Sequence, residues 1–164
     1  MFAFLKKASE VTIFAPISGR IIDLSQVPDE VFSKRMVGDG IAIVPSDNVL
    51  VAPCDGKITQ IFSTNHALGI QTPEGLEILI HMGLDTVELK GKGFTRLKEV
   101  GSEIKCGDPI MEFNIQEVEK LGKSTITPVV ITNPDKVSSL KKGEGPVEAG
   151  ISVVMSVKVK ASGA

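Results

Sequence analysis

Apolar and polar residues alternate along several short segments of the chain, which is the pattern of β-strands with one buried face. The clearest segment spans residues 151–160. Its odd-numbered positions are Ile, Val, Met, Val and Val, and its even-numbered positions are polar except for Val154. We therefore predict a strand whose odd-numbered side chains lie in the core and whose even-numbered side chains face solvent.

A second alternating segment covers residues 76–81. Its even-numbered positions are Leu, Ile and Ile, which predicts a buried face, whereas Leu79 and His81 share the opposite, outward face. The sequence Gln-Thr-Pro-Glu-Gly at residues 71–75 predicts a turn, so an antiparallel strand is expected to precede it.

The preceding strand brings the second histidine, His66, into the same hairpin. If the hairpin folds between residues 73 and 74, His66 lies opposite His81 and Leu68 lies opposite Leu79. A bulge or a shifted turn changes this register by one residue.

Helical spacing is found in few places. Three apolar residues within 115–121 predict one short helix that ends at Gly122, and residues 28–32 predict a further helical turn. The largely β-branched run at 127–132 predicts a buried strand that ends before Asn133-Pro134.

Two short motifs occur twice in the same order. Ala-Pro-x-x-Gly-basic-Ile stands at residues 15–21 and again at 52–58, and a Gly-Asp turn followed by an apolar residue stands at 37–41 and 106–110. The pattern predicts an all-β, internally duplicated antiparallel β-sandwich with one or two short helices. We expect it to occupy residues 11–164 as one domain, after a short flexible tail at residues 1–10.

Composition narrows the class of function. The formal net charge of −2 argues against binding of nucleic acid, and 42% hydrophobic residues suffice for a sizeable core. No apolar run reaches the roughly 20 residues that cross a bilayer, and the apolar start is too short for a signal peptide. Cys54 and Cys106 have no metal-binding spacing, so we predict reduced thiols and a cytoplasmic protein.

His66 and His81 are the only histidines in the chain. Imidazole is a good nucleophile that titrates near neutral pH, so a pair on one surface points to proton transfer, metal binding or phosphoryl carriage. The alternative is two half-exposed rings hydrogen-bonded to the backbone. Thr64, two residues before His66, can orient a ring, and Asp85 follows the strand of His81. Judged singly, ordinary strand composition for Thr64 and an Asx turn for Asp85 are the more frequent explanations.

Four segments together identify a resemblance. They are Thr-Asn-His-Ala at 64–67, the sequence from His81 to Gly91, Val-Gly-Asp-Gly-Ile-Ala-Ile at 37–43 and Ser-Thr-Ile-Thr-Pro-Val-Val at 124–130. They resemble the glucose-class IIA component of the bacterial sugar phosphotransferase system. The resemblance runs from about residue 11 to residue 159 and implies the duplicated hybrid motif, a β-sandwich.

The resemblance also implies a function and its residues. It implies a phosphotransferase that accepts phosphate from the histidine-containing phosphocarrier protein and passes it to a cysteine of the IIB domain of a sugar permease, without a required cofactor. His81 resembles the histidine phosphorylated on Nε2, His66 the histidine that stabilises the phosphoryl group, Thr64 the residue that orients His66, and Asp85 the acidic residue near the site.

A docking surface for the two protein partners is implied as well. The candidate residues are apolar side chains around the histidines, with two carboxylates for a basic partner. They are Val31, Phe32, Met36, Val37, Phe62, Leu68, Leu79, Val87, Asp29 and Asp85. Simple core packing is the alternative for each apolar residue.

Two other functions are compatible with parts of the sequence. His66 and His81 are possible zinc ligands, and His81-x-x-x-Asp85 resembles part of a zinc peptidase motif, but the third histidine that such hydrolases need is missing. Residues 101–108 resemble a hairpin of biotinyl and lipoyl carrier domains, but no Met-Lys-Met or Asp-Lys-Ala follows. The sugar stays open among glucose, N-acetylglucosamine, β-glucosides and sucrose.

Overall fold

The computed structural model describes residues 9–160, which form mostly β-structure. Two short helices are present in this part of the chain, α1 (Glu30–Ser33) and α2 (Ile115–Lys120), and three single 3-10 turns lie at Leu24–Gln26, Thr86–Leu89 and Pro134–Lys136. The strands are β1 (Glu10–Phe14), β2 (Gly19–Asp23), β3 (Asp39–Pro45), β4 (Val49–Val51), β5 (Gly56–Ile61), β6 (Ala67–Gln71), β7 (Glu77–His81), β8 (Phe94–Arg96), β9 (Glu103–Ile104), β10 (Pro109–Phe113), β11 (Thr127–Ile131), β12 (Val137–Lys142), β13 (Gly145–Val147) and β14 (Val153–Val159).

The strands form three antiparallel sheets. The large sheet has the order β13-β2-β3-β11-β7-β6-β5-β9, and the two small sheets have the orders β1-β14-β12 and β4-β10-β8. The predicted all-β antiparallel sandwich with short helices is therefore confirmed. The predicted helix before Gly122 is α2, and the predicted helical turn at 28–32 overlaps α1, whose N-terminus is capped by the Asp29 side chain.

The sequence repeat corresponds to a structural repeat. The two Ala-Pro motifs lead into β2 and β5, and the two Gly-Asp motifs lead into β3 and β10. Phe14 N donates to Pro53 O at 2.8 Å, and Val51 N donates to Pro16 O at 2.7 Å. Residues 14 and 51 are equivalent in the repeat, and so are residues 16 and 53, so each half donates the same bond to the other. This reciprocal bonding is expected for an interleaved duplication.

The central strands of the large sheet bury both faces, but against different neighbours. On β3 and β11, Ile41, Ile43, Val129 and Ile131 belong to the main core, whereas Ala42 and Val130 belong to a second, smaller cluster with Leu24, Val27, Phe32 and Leu84. On β7, Ile78 and Ile80 lie in the main core and Leu79 packs against the second cluster. His81 shares the face of Leu79, so the second cluster forms the apolar floor beside it.

The C-terminal strand departs from strict alternation. Met155, Val157 and Val159 are buried as predicted, but Ile151 and Val153 are 67% and 47% exposed, and Val154 is fully buried. A register shift opposite Ile13/Phe14 explains the difference, because Met155 pairs with Ile13 while Val153 pairs with Phe14. This bulge at Val154 turns two consecutive side chains into the core. The prediction for Val153 was wrong for this reason. The prediction for Ile151 was wrong because Ile151 lies in the turn before β14, where its backbone N donates to Glu148 O at 3.1 Å.

The ends of the chain add two observations. Strand β1 begins at Glu10 and pairs with β14, and residues 1–8 of the predicted tail lie outside the described residues. In the part of the chain from residue 9 to residue 160, no helix has the length and apolar character that a membrane span requires.

Candidate functional site

The hairpin that carries the histidines has a register one residue away from the predicted one. Ala67 pairs with His81 and Gly69 pairs with Leu79, so the expected pairs of His66 with His81 and Leu68 with Leu79 do not form. Nevertheless the two imidazole rings meet, with centroids 5.0 Å apart and an interplanar angle of 77°. His66 lies just before β6 and follows Asn65, which has a φ of 63°, so strand alternation does not set the direction of its side chain.

His81 is held by the loop that follows its own strand. Its Nδ1 lies 2.6 Å from the carbonyl oxygen of Gly83. A carbonyl oxygen can only accept, so Nδ1 carries the proton, and in the neutral ring Nε2 keeps its lone pair. The ring is half-buried and lies 5.1 Å, centroid to centroid, from the ring of Phe32. The structure therefore leaves the lone pair of the neutral ring on Nε2 of His81.

The loop after β7 keeps the Gly83 carbonyl in place. Gly83 has a φ of 80°, and the hydroxyl of the fully buried Thr86 donates to Met82 O at 2.7 Å. Leu84 bridges to Ser124, with Leu84 N donating to Ser124 O at 3.1 Å. A Cβ on residue 83 would lie 2.5 Å from Thr86 Cγ2 and 2.6 Å from Ser124 O, so the loop closes only around glycine.

His66 is more deeply placed than His81. Its side chain is among the buried polar groups of the protein, at 3% exposure, and the Phe62 ring packs on its edge with centroids 5.3 Å apart. Thr64 Oγ1 lies 2.6 Å from His66 Nδ1, the contact that the sequence analysis expected of Thr64. This bond occupies Nδ1 of His66, so Nε2 is the ring nitrogen that remains for a contact with another group.

Electrostatics keep both imidazoles neutral at physiological pH. Burial and the neighbouring His81 lower the pKa of His66 from 6.5 to about 4. Burial also lowers the pKa of His81, although its bond to Gly83 O and the carboxylates of Asp29 and Asp85 act in the opposite direction. Asp29 and Asp85 therefore both lie close enough to favour protonation of His81.

The candidate docking residues divide into three groups. Val31, Met36 and Val87 are exposed, at 42%, 70% and 52%, and Asp85 is exposed too. Phe62, Val37, Leu79 and Asp29 are half-buried. Leu68 is fully buried in the main core and Phe32 is 4% exposed in the second cluster, so the expectation that they form part of an accessible surface was wrong. The hairpin register explains Leu68, because it turns that side chain inward.

Two residues that hold the histidines in place, Gly83 and Arg96, were not predicted from the sequence. Gly83 supplies the carbonyl acceptor that selects the tautomer of His81. The only signal in the sequence for its positive φ is that the residue is a glycine. Arg96 lies 30 residues from His66 along the chain and bonds to Asn65 in the turn before it. No sequence pattern connects positions so distant, so only the folded chain reveals this contact.

Metal ligands are sparse around this site. Among residues 9–160, no three histidine, cysteine or carboxylate side chains are grouped so as to hold a metal ion. Cys54 is buried and Cys106 is half-buried, and both are free thiols. The two histidines alone provide two nitrogen ligands, fewer than the three or four protein ligands of typical zinc sites.

Comparisons with known proteins identify one family. The family profile of the phosphoenolpyruvate-dependent sugar phosphotransferase system, EIIA 1, matches residues 11–137. The glucose-specific EIIA component of Haemophilus influenzae is 49% identical over 93% of this chain and 92% of its own length. An N-acetylglucosamine-specific EIICBA component of Klebsiella pneumoniae is 45% identical over 91% of this chain and 23% of its own length. The solved structure of glucose permease IIA from Mycoplasma capricolum superposes with a TM-score of 0.85 at 40% identity, covering 95% of this chain and 99% of that chain.

Proposed function

The chain belongs to the EIIA 1 family of the phosphoenolpyruvate-dependent sugar phosphotransferase system, and from that premise we propose that it carries the phosphoryl group on Nε2 of His81. As an EIIA component it is a phosphoryl carrier. The observation that carries the residue assignment is the bond from His81 Nδ1 to Gly83 O at 2.6 Å, because it leaves the lone pair of a neutral ring on Nε2.

The chemistry needs no proton transfer. Nε2 of His81 attacks the phosphorus of the donor phosphohistidine, the new N–P bond forms as the donor N–P bond breaks, and the donor imidazole leaves with its electron pair. The positive charge that develops on the ring of His81 is held by the bond from Nδ1–H to Gly83 O. In the second step a thiolate attacks phosphorus and His81 leaves as the neutral ring. Such transfers depend mainly on positioning and on stabilising charge.

His66 supplies the stabilising hydrogen bond. We assign the donor role at the bond between Thr64 and His66 to the threonine hydroxyl, so that Nε2 of His66 carries the proton. With the ring centroids 5.0 Å apart, this N–H donates to the phosphoryl oxygens on His81 as a charge-assisted bond. Asp85 is exposed beside the site and repels the phosphoryl group electrostatically, which favours its departure to the next acceptor.

The partners are two proteins, and both dock over His81. The donor is the histidine-containing phosphocarrier protein and the acceptor is the IIB domain of a sugar permease. The exposed Val31, Met36 and Val87 provide the apolar contact surface, and Asp29 and Asp85 attract a basic partner. Glucose is the sugar that the name of the Haemophilus relative indicates. Because the family is that of a phosphoenolpyruvate-dependent sugar phosphotransferase system, we place the protein in the cytoplasm.

The transfer requires no cofactor, since the nucleophile and the charge-stabilising group are both side chains of this chain. Zinc binding at His66 and His81 would need further ligands from a partner. Calorimetric titration of the protein with zinc tests whether a partner is needed. Tight zinc binding by the protein alone, lost in His66→Gln, would contradict this requirement.

The decisive experiment is a reconstituted phosphorelay followed by mass spectrometry of the labelled peptide. We expect acid-labile, base-stable phosphate on His81 and no phosphate on His81→Ala. We expect His66→Gln to accept phosphate but to pass it to IIB only at a small residual rate. Persistent labelling of His81→Ala would show that the assignment of the nucleophile is wrong. Unimpaired transfer to IIB by His66→Gln would remove the proposed role of His66.

A further inference from the structure

The turn at residues 62–66 places both Thr64 and His66, yet few bonds of its own hold it. Asn65 N donates to Phe62 O at 2.7 Å, and Phe62 N donates to Ala67 O at 2.9 Å. Asn65 has a φ of 63°, a conformation that costs free energy in any residue except glycine. The conformation of this turn therefore needs support from another part of the fold.

Met82 N, just after β7, holds the end of the turn by donating to His66 O at 2.7 Å. Further support comes from β8, in a different sheet. Arg96 Nε donates to Asn65 Oδ1 at 2.5 Å, and Arg96 Nη2 lies 3.5 Å from Phe62 O. The guanidinium thus contacts the turn at both ends, and its side chain is 28% exposed. A planar guanidinium holds two acceptors in fixed directions, which the single ammonium of lysine does not reproduce.

We propose that Arg96 is a positioning residue for phosphoryl transfer, whose guanidinium fixes the turn at 62–66 so that the imidazole of His66 faces His81. The inference rests on the proposed role of His66 in stabilising the phosphoryl group. Within residues 9–160, Arg96 makes no hydrogen bond to either imidazole, so it acts through Asn65 and Phe62.

The expected loss of transfer rate in Arg96 variants follows from how strongly catalysis depends on the position of the reacting groups. A displacement of about 1 Å at a reacting group costs about 100-fold in rate, and losing a side chain that orients a functional histidine costs about 10-fold to 100-fold. We expect Arg96→Ala to slow transfer from the phosphorylated protein to the IIB domain by about 10-fold to 100-fold. Arg96→Lys keeps the charge but cannot hold both acceptors, so its rate lies between those of the parent and Arg96→Ala.

A matched control and a second variant separate positioning from folding. Arg20→Ala removes an exposed arginine of β2, where residue 20 pairs with Val44 and Pro146, and we expect its transfer rate to stay within about twofold of the parent. Asn65→Gly keeps the positive φ but removes the acceptor of Arg96. Its rate is expected to fall in the same way as that of Arg96→Ala, even if Arg96→Ala itself folds poorly.

The test is a double-mutant cycle on the rate of transfer to IIB. If Arg96 acts through His66, Arg96→Ala slows the parent but has no further effect in His66→Gln. Nitrogen NMR of His66 gives a second readout, because the parent is expected to show one tautomer and Arg96→Ala a mixture. A fully multiplicative loss in the double variant, or an unchanged tautomer with an unchanged rate, would overturn the inference.

The same assays distinguish an error about Arg96 from an error about the roles of His66 and His81. If His81 is labelled and His66→Gln is slow while Arg96→Ala transfers normally, only the role of Arg96 is wrong. If His66→Gln transfers normally, the role of His66 falls first and the inference falls with it.

Discussion

Acidification is expected to destabilise this protein through His66. Burial and His81 lower the pKa of His66 from 6.5 to about 4 in the folded state. Below pH 6.5 the unfolded chain takes up a proton at this histidine while the folded protein does not. The unfolded state then binds more protons, so the free energy of unfolding falls as the pH decreases from 6.5 and stops falling on this account below about pH 4.

The magnitude follows from the two pKa values. A fall from 6.5 to about 4 corresponds to about 3 kcal/mol when the whole range is crossed. Between pH 7 and pH 4.5 the linkage relation gives a loss of about 2 kcal/mol from this residue alone. Domains of this size are stable by only about 5 to 15 kcal/mol, so a loss of this size is measurable.

Urea unfolding of the parent and of His66→Gln at a series of pH values between 7 and 4.5 provides the assay. Carboxylates and His81 titrate in both proteins, so their contributions largely cancel in the difference. We expect the parent to lose about 2 kcal/mol more than His66→Gln over this range. Parallel loss in the two proteins, or an NMR titration that puts the pKa of His66 near 6.5, would refute the buried, neutral state of this ring.

Three further predictions concern the loop, the bulge and the docking surface. Gly83→Ala is expected to cost about 1 to 3 kcal/mol more in unfolding free energy than Gly75→Ala, because both have positive φ but only a Cβ on residue 83 meets neighbours within 4 Å; equal costs would refute the clash. Val154→Ala is expected to destabilise by about 1 kcal/mol or more and Ile151→Ala by less than about 0.5 kcal/mol, since only Val154 is buried; the reverse order in urea unfolding would restore strict alternation. Met36→Ser, at a 70% exposed position, is expected to raise the KM for the phosphocarrier protein about threefold to tenfold without lowering Tm; an unchanged KM would remove this residue from the docking surface.

Much of the fold could be predicted because its signals are local. Alternation along 76–81 correctly separated the buried Ile78 and Ile80 from the outward Leu79 and His81, and the largely β-branched run became the fully buried β11. The repeated Ala-Pro motif indicated the duplication that reciprocal backbone bonds between the halves confirm. The contact between Thr64 and His66 was also predictable, since the two residues are close neighbours in the chain.

Errors arose where one residue of register changed the outcome. In β14, the bulge at Val154 reversed the orientation of Val153 and left that side chain exposed. In the β6–β7 hairpin, pairing of Ala67 rather than His66 with His81 turned Leu68 into the core. Side chains alternate with a period of two, so a shift of one position moves every affected residue to the other face.

The amino-acid sequence by itself determined which segments are strands, which face of each is apolar, and that the chemistry available is that of two imidazoles with a nearby hydroxyl. Tertiary structure decided that the rings lie 5.0 Å apart, that His66 is buried with a pKa of about 4, and that Gly83 O selects the tautomer of His81. The physical reason is the range of the interactions involved. Strand propensity and alternation act between near neighbours in the chain, whereas register, burial and the contact of Arg96 with the turn at 62–66 depend on strands that meet only in the folded protein.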